Sequence, residues 1–414
     1  MYGCQQNLIK DSEAIPFLEY LCTTANNLIN CGTYLARQWI FKCQYITKKY
    51  DLEKELKSNS NYQFLHSQAA QQTLRGVAEA FKSYAALSKL YQTGELEVKP
   101  KLPNYRKKGG LAVLTYPQQA LRFENGKVRV PLGKRVKTLF KVSHFWLNFP
   151  SNLDFKQIRE IRIFPRNETF YIEWVYTVQP EPVALDKSQA LGIDHGLNNW
   201  LTCVSNVGTS FIVDGLHLKS LNQWFNKQIA TLKAGKPQGF WSHKLARITE
   251  KRNRQMRDAV NKAARIVVNH CLEHKIGRIV FGWNQRQKDG IEMGKQNNQK
   301  FVQIPTAKLK ERIQQLCEQY GIEFVETEES YTSQASFLDG DFLPTIGEKP
   351  ESWKPSGKRI YRGLYRAKHR FLINADGNGS ANILRKVSTK LGIDLSGVCR
   401  GSLTMPSRVR LWTA

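Results

Sequence analysis

The sequence has no apolar run near the roughly 20 residues needed to span a bilayer, and its opening, MYGCQQNLIKDSEA, lacks the apolar core of a signal peptide. An intracellular, non-membrane protein is therefore expected. Its eight cysteines (Cys4, Cys22, Cys31, Cys43, Cys203, Cys271, Cys317 and Cys399) stand far apart with no CxxC pair. That spacing argues against a zinc ribbon and suits buried thiols in a reducing compartment. There is no HExxH, no GxxxxGK[ST] phosphate loop and no GxSxG elbow, so zinc proteases, P-loop NTPases and serine hydrolases of the usual kinds are set aside. Acidic residues are also scarce: 35 face 62 lysines and arginines, a formal net charge of +27.

What is present is a folded composition, 41% hydrophobic and 23% charged over 414 residues, enough for two or three domains. The positive charge runs along the whole chain, so it must cover extended surface and makes a polyanion the obvious partner. An anionic membrane surface is the competing partner.

Apolar residues at helical spacing predict a helix from about Glu13 to Tyr50 and a second from about Ser67 to Tyr91. Between Gly94 and Val178 the pattern turns to short β-rich runs, with a hairpin signal at Asn125-Gly126 and another hairpin in EIRIFPRNETFYIEWVYTV. Residues 1–185 thus read as a helical insertion, helices at about 13–91, carried by a small β-barrel or sandwich. Lys99, Lys101, Arg106, Lys107 and Lys108, interleaved with Pro103 and Tyr105, are candidate phosphate contacts; a solvated loop would look the same.

After EPVALDKSQ the pattern changes again. ALGIDHG, NNWLTCVSN and GTSFIVDG predict three meandering strands, followed by helices at Leu221–Lys233 and His243–His274. A strand at Arg278–Gly282, a helix at Ala307–Tyr320, a strand at Ile322–Glu328 and a final helix beginning near Asp376 complete the order. That is the order of an RNase H-like domain with a mixed sheet, here residues 186–414, with a basic insertion at about 337–370. The fold class expected is therefore α/β multidomain.

Two aspartates attract chemistry. Asp194 closes the apolar strand Leu191-Gly192-Ile193, where an ionised side chain is costly unless paired, hydrogen-bonded or metal-bound; Gly196 beyond it would let a ligand approach. Asp376 stands at a predicted helix N-terminus, where Asp is also an ordinary N-cap. Phosphodiester hydrolysis by two Mg2+ ions about 3.5–4 Å apart needs such carboxylates to converge at one sheet edge.

LGIDHGLNNWLT resembles the first RuvC motif of the TnpB (OrfB) family, and INADGNGSANILRK resembles its third, NADxNGxxNI. ANNLINCGTYLARQWIFK, PKLPNYRKKGGL, AVNKAARIVVNHC, NNQKFVQIP and EESYTSQASFLD resemble further segments in family order, so the likeness covers nearly the whole chain. The resemblance implies a wedge and recognition lobe over 1–185, a RuvC nuclease lobe, a structured guide RNA, a double-stranded target DNA with a short motif beside it, and a prokaryotic, nucleoid-associated setting. Guide pairing would read the target, as in the type V CRISPR effectors that share this nuclease lobe.

Two departures stand out. The family usually has its second catalytic carboxylate, a glutamate, where Gly282 and Trp283 stand here. Adjacent strands of this fold end at one edge, so Glu329, or failing it Glu328, is expected to serve with Asp194 and Asp376 as catalytic residue and Mg2+ ligand. The four zinc-ribbon cysteines that follow YTSQ in the family are also missing. The insertion carries Lys358, Arg359, Arg362, Arg366, Lys368 and Arg370 instead, a zinc-free loop facing nucleic acid or a solvated hairpin. On the long helix, Arg247, Lys251, Arg254, Lys262 and Arg265 are candidate contacts to the guide–target duplex, unless they only form a solvated face with Asp258. Asn284, Gln285 and Lys288 would shape a lid.

Three functions follow: an RNA-guided DNA endonuclease, a nuclease-dead RNA-guided binder, or an RNA-independent transposase. In all of them binding rests on phosphate neutralisation. Affinity for a labelled duplex, followed by fluorescence anisotropy, is expected to drop roughly a thousandfold or more between about 50 and 200 mM salt. A flat salt dependence would remove the polyanion as partner.

Overall fold

The computed structural model describes residues 1–11, 13–284 and 304–412; Gln285, Lys288 and residues 297–303 of NNQKFVQIP lie outside them. The chain divides into two units, Met1–Val178 and Gln179–Ala414. The segment before residue 186 goes with the second unit, because its backbone pairs with the end of a later helix: Glu181 donates to the Gln319 carbonyl and Val183 to that of Tyr320.

In the first unit β1 (Tyr2–Leu8) opens the chain, ahead of four helices and β2 (Leu114–Pro117). Next come β3 (Arg122–Glu124), β4 (Lys127–Pro131), β5 (His144–Asn148), β6 (Ile158–Arg166) and β7 (Thr169–Thr177). One sheet has the order β1-β7-β6-β2 and a second the order β3-β4-β5. The Asn125-Gly126 hairpin forms as expected, both residues taking positive φ (48° and 73°), as a two-residue turn between twisted strands requires.

The first helix, Ala14–Cys43, buries Leu18, Leu21, Cys22, Ala25, Leu28 and Ala36 along one face. It stops short of Tyr50 because Gln44 turns left-handed, and a separate helix covers Lys49–Leu56. The helix Ser67–Gln92 follows the predicted range closely.

The second unit holds a six-stranded sheet. Its members are β8 (Asp186–His195), β9 (Asn199–Ser205), β10 (Ser210–Asp214), β11 (Ile276–Gly282), β12 (Glu323–Thr327) and β16 (Ser407–Val409). The order is β12-β11-β8-β9-β10-β16; β8, β9 and β10 run antiparallel as a meander, while β11 and β12 are parallel to β8. This is the mixed sheet of an RNase H-like domain with one added edge strand. A smaller sheet, β13 (Lys358–Tyr361), β14 (Leu364–Arg366) and β15 (Leu372–Asn374), is built from the basic insertion and its exit.

Strand periodicity sends alternate residues to opposite faces. Leu191, Ile193, Ile279 and Phe281 join one core with the helices His243–Glu273 and Thr306–Tyr320. Ala190 and Val280 pack on the other face against Ile383, Leu384 and Val387 of the helix Ala375–Leu391. That helix lies very close to β8: a Cβ on Gly192 would sit 2.6 Å from the Ser380 carbonyl oxygen and 2.7 Å from Leu384 Cγ. The Ser380 hydroxyl donates to the Gly192 carbonyl at 2.8 Å, closing the contact.

Because backbone fills the space beside Gly192, Gly192→Ala must push the helix away. A stability loss of about 1–3 kcal/mol is expected in chemical denaturation. An unchanged denaturation midpoint would show that the approach is looser than this.

Candidate active site

Asp194 lies two residues beyond Gly192 and so faces the same helix. Gly379 makes room for it: a Cβ there would sit 2.9 Å from Asp194 Oδ2. One helical turn earlier is Asp376. It is not the cap, because Asn374 is: the Asn374 Oδ1 accepts from the backbone N–H of Asp376 at 3.0 Å and of Gly377 at 2.9 Å. The Asp376 carboxylate instead turns into the cleft, where Oδ2 accepts from Asn199 Nδ2 at 2.7 Å and Oδ1 pairs with Arg359 at 3.0 Å.

The same helix pins the loop that carries the third carboxylate. Asn378 accepts from the Phe337 N–H and donates to the Ala335 carbonyl, while Asn382 donates to the carbonyls of Thr332 and Ala335. Each polar residue of NADGNGSAN therefore has a mechanical task. Upstream in that loop, the Glu329 N–H donates to Asn284 Oδ1 at 3.1 Å and its carbonyl accepts from the Thr332 hydroxyl at 2.8 Å.

Glu329 Oε2 reaches 3.6 Å from His195 Nδ1, and one donor atom each from Asp194, His195 and Glu329 lie within 4.8 Å of one another. Glu328 points elsewhere, pairing with Lys386 and accepting from the Ser330 N–H at 3.2 Å. Burial alone would raise the Glu328 carboxyl, but Lys386 and Ser330 more than offset it and hold it below the usual range.

Asp194 is driven the opposite way. Burial first, then the charges of Glu329 and Asp376, push its carboxyl well above the ordinary value, with Arg359 opposing. Asp194 and Glu329, with donor atoms this close and Asp376 near enough to act on Asp194 by its charge, fit a divalent cation, which would remove the repulsion. A cleft of about 810 Å³ opens over Asp194 and Asp376, lined also by His195, Asn199, Arg359, Arg362 and Arg408 among others.

The OrfB_IS605 family model, described as "Probable transposase", matches residues 173–287, which include β8, Asp194 and Gly282. Over that stretch the chain is similar to the TnpB-like (OrfB) family. Among solved structures, "Cryo-EM structure of the Cas12f1-sgRNA-target DNA complex" is 16% identical with a TM-score of 0.57, covering 90% of this chain and 83% of that one. It shows that the fold is shared. "Structure of the mini-RNA-guided endonuclease CRISPR-Cas_phi3" aligns over 97% of this chain and 93% of that one at 9% identity and TM-score 0.44. No curated protein is matched by the sequence.

The remaining predicted residues of this TnpB-like chain divide into exposed and committed. Lys99, Lys101, Lys107 and Lys108 are exposed, but the Arg106 guanidinium donates to Asn26 Oδ1 at 2.8 Å and to the Leu111 carbonyl at 3.1 Å, bracing its own loop. Arg247, Lys251, Arg254 and Lys262 are exposed along the helix His243–Glu273, with Lys262 paired to Asp258 at 2.9 Å. Arg265 is turned to the Tyr320 hydroxyl at 2.9 Å. In the insertion, Arg359 and Arg362 line the cleft, Lys358 is exposed and Arg366 half-buried. Asn284 serves as the anchor of Glu329. Gly196 lines the cleft, and a Cβ there would sit 2.7 Å from the Asn199 carbonyl.

His195, Asn199 and Arg408 were missed by sequence reasoning. The first two sit inside LGIDHGLNNW beside Asp194, which is the signal that could have found them. Arg408 lies on β16 and pairs with Asp214 at 2.8 Å and Asn199 Oδ1 at 3.0 Å.

Continuing the β8–β11 register one step past Ile193↔Phe281 sets Gly282 beside Asp194. A Cβ at 282 would lie 2.5 Å from Ile383 Cδ1, so a side chain there would require that isoleucine to turn aside. Gly282→Glu is therefore expected to lower stability by about 1–3 kcal/mol. Adding Ile383→Ala should recover part of that loss, a coupling measurable in a double-mutant cycle. Strictly additive effects would mean that Ile383 is not the obstruction.

Proposed function

We propose that this TnpB-like protein is an RNA-guided DNA endonuclease whose cutting site consists of Asp194, Glu329 and Asp376. The observation that carries the reading is the convergence of Glu329 on Asp194 at an edge where position 282 has no side chain. Bound Mg2+ would supply an activated water and positive charge at the leaving oxygen of a phosphodiester. Asp194, Glu329 and Asp376 would hold it. Arg359 and Arg362, on the cleft wall, would receive the backbone of a DNA strand entering from solvent.

The guide RNA, in this reading, meets the exposed lysines at 99–108, and the exposed face of the helix His243–Glu273 tracks the guide–target duplex. Base pairing would supply sequence recognition, and a short motif in the DNA would be read by the protein.

RNA that co-purifies with the full chain identifies the guide; a plasmid library matching that guide, with randomised flanks, is then incubated with Mg2+. Motif-adjacent cutting is expected. Asp194→Ala, Glu329→Gln and Asp376→Asn should each slow it by about a hundredfold or more, roughly 2.7 kcal/mol of barrier, without loss of target binding. Binding with no cut product would leave the nuclease-dead reading. A chain that carries no defined RNA would favour the transposase suggested by the description of the matched family.

A further inference from the structure

The cluster that includes Glu329 contains a nitrogen donor. His195 is the last residue of β8, its side chain only 9% exposed, and its ring is held edge-on against Trp283 at 5.3 Å and Phe281 at 6.0 Å. Those two aromatic contacts fix the ring with Nδ1 toward Glu329. Asp376, by contrast, is engaged by Asn199 and Arg359 and stands outside the group of mutually close donors.

Two donors each about 2.1 Å from one ion are at most about 4.2 Å apart. The 4.8 Å limit within which the Asp194, His195 and Glu329 donors all lie is thus a small side-chain adjustment from a shared ion. We propose that His195 joins Asp194 and Glu329 as a direct ligand, so that this position takes a first-row transition ion such as Mn2+ or Co2+ more readily than Mg2+. Mg2+ favours oxygen donors, whereas imidazole suits transition ions. The inference rests on the reading that these carboxylates hold a cation, and it adds the class of ion.

The test uses Mn2+ as probe on the full chain, read by electron spin-echo modulation and by calorimetric titration. Nitrogen modulation from a directly bound imidazole is expected, with its frequencies changed when the protein is labelled with 15N-histidine. The signal should disappear in His195→Gln. That variant should also lose about tenfold or more in Mn2+ and Co2+ affinity, with a smaller change for Mg2+. Because the labelling experiment is done on the unmutated chain, it stands even if the variant folds poorly.

Mn2+ binding that is abolished by Asp194→Ala yet shows no histidine nitrogen would overturn the role of His195 and leave the carboxylate site intact. Equal losses for Mn2+ and Mg2+ in His195→Gln would mean that the ring merely positions Glu329. No Mn2+ binding at all would overturn this inference together with the nuclease reading.

Discussion

The close approach of the helix Ala375–Leu391 to the strand Asp186–His195 is the constraint on which the site depends. A side chain at Gly192 would meet helix backbone, and one at Gly379 would meet the Asp194 carboxylate. With both absent, the N-terminal turn of the helix can stand over the end of the strand, and two aspartates 182 positions apart come to line one cleft. Asn374 caps the helix and leaves the Asp376 side chain to face that cleft. Asn378 and Asn382, further along, tie down the loop after Glu329. One helix thereby positions one acidic residue directly and another through its loop.

The same closeness bears on which strand ends bring a carboxylate to this edge. Ile383 occupies the space beside position 282, so β11 ends in glycine and has no acid to offer there. β12 is parallel to β11, with Thr327 opposite Gly282, and its continuation passes the same edge two residues later at Glu329. Asn284, just beyond the glycine, holds the Glu329 backbone at that point. Loss at one strand end and gain at its neighbour are two aspects of one packing arrangement.

Element order and most helix limits were legible because they rest on local signals: apolar runs, 3.6-residue periodicity and turn residues such as Asn125-Gly126, whereas Asp376 stood out through the likeness of INADGNGSANILRK to a known motif. β1 was not legible, since Gly3, Gln5 and Gln6 give no β pattern and the strand is fixed by pairing with β7, 163 to 175 residues away. β16 is three residues long and equally dependent on its partner β10. That adjacent strands end at one edge did not by itself separate Glu329 from Glu328, whereas in space Lys386 claims the latter. Arg106 and Arg265 illustrate the limit of charge counting: each is a cation in a basic stretch, yet each bonds to its own fold.

In the proposed activity, charge also has to reconcile an acidic site with an anionic substrate. At an effective dielectric of about 20, two unit charges 4 Å apart interact by about 4 kcal/mol, so crowded carboxylates repel each other and any approaching phosphate. The chain answers this with arginines on the cleft walls. Arg359 already neutralises Asp376, and Arg362 and Arg408 stand around the same opening. An entering phosphate would compete with Asp376 for Arg359, and a cation would compete with Arg359 for Asp376. In the proposed activity the two exchanges favour one another: metal at the carboxylates releases the guanidinium, and the released guanidinium is then able to hold the strand. The basic insertion thereby takes part in the electrostatics of the cleft itself.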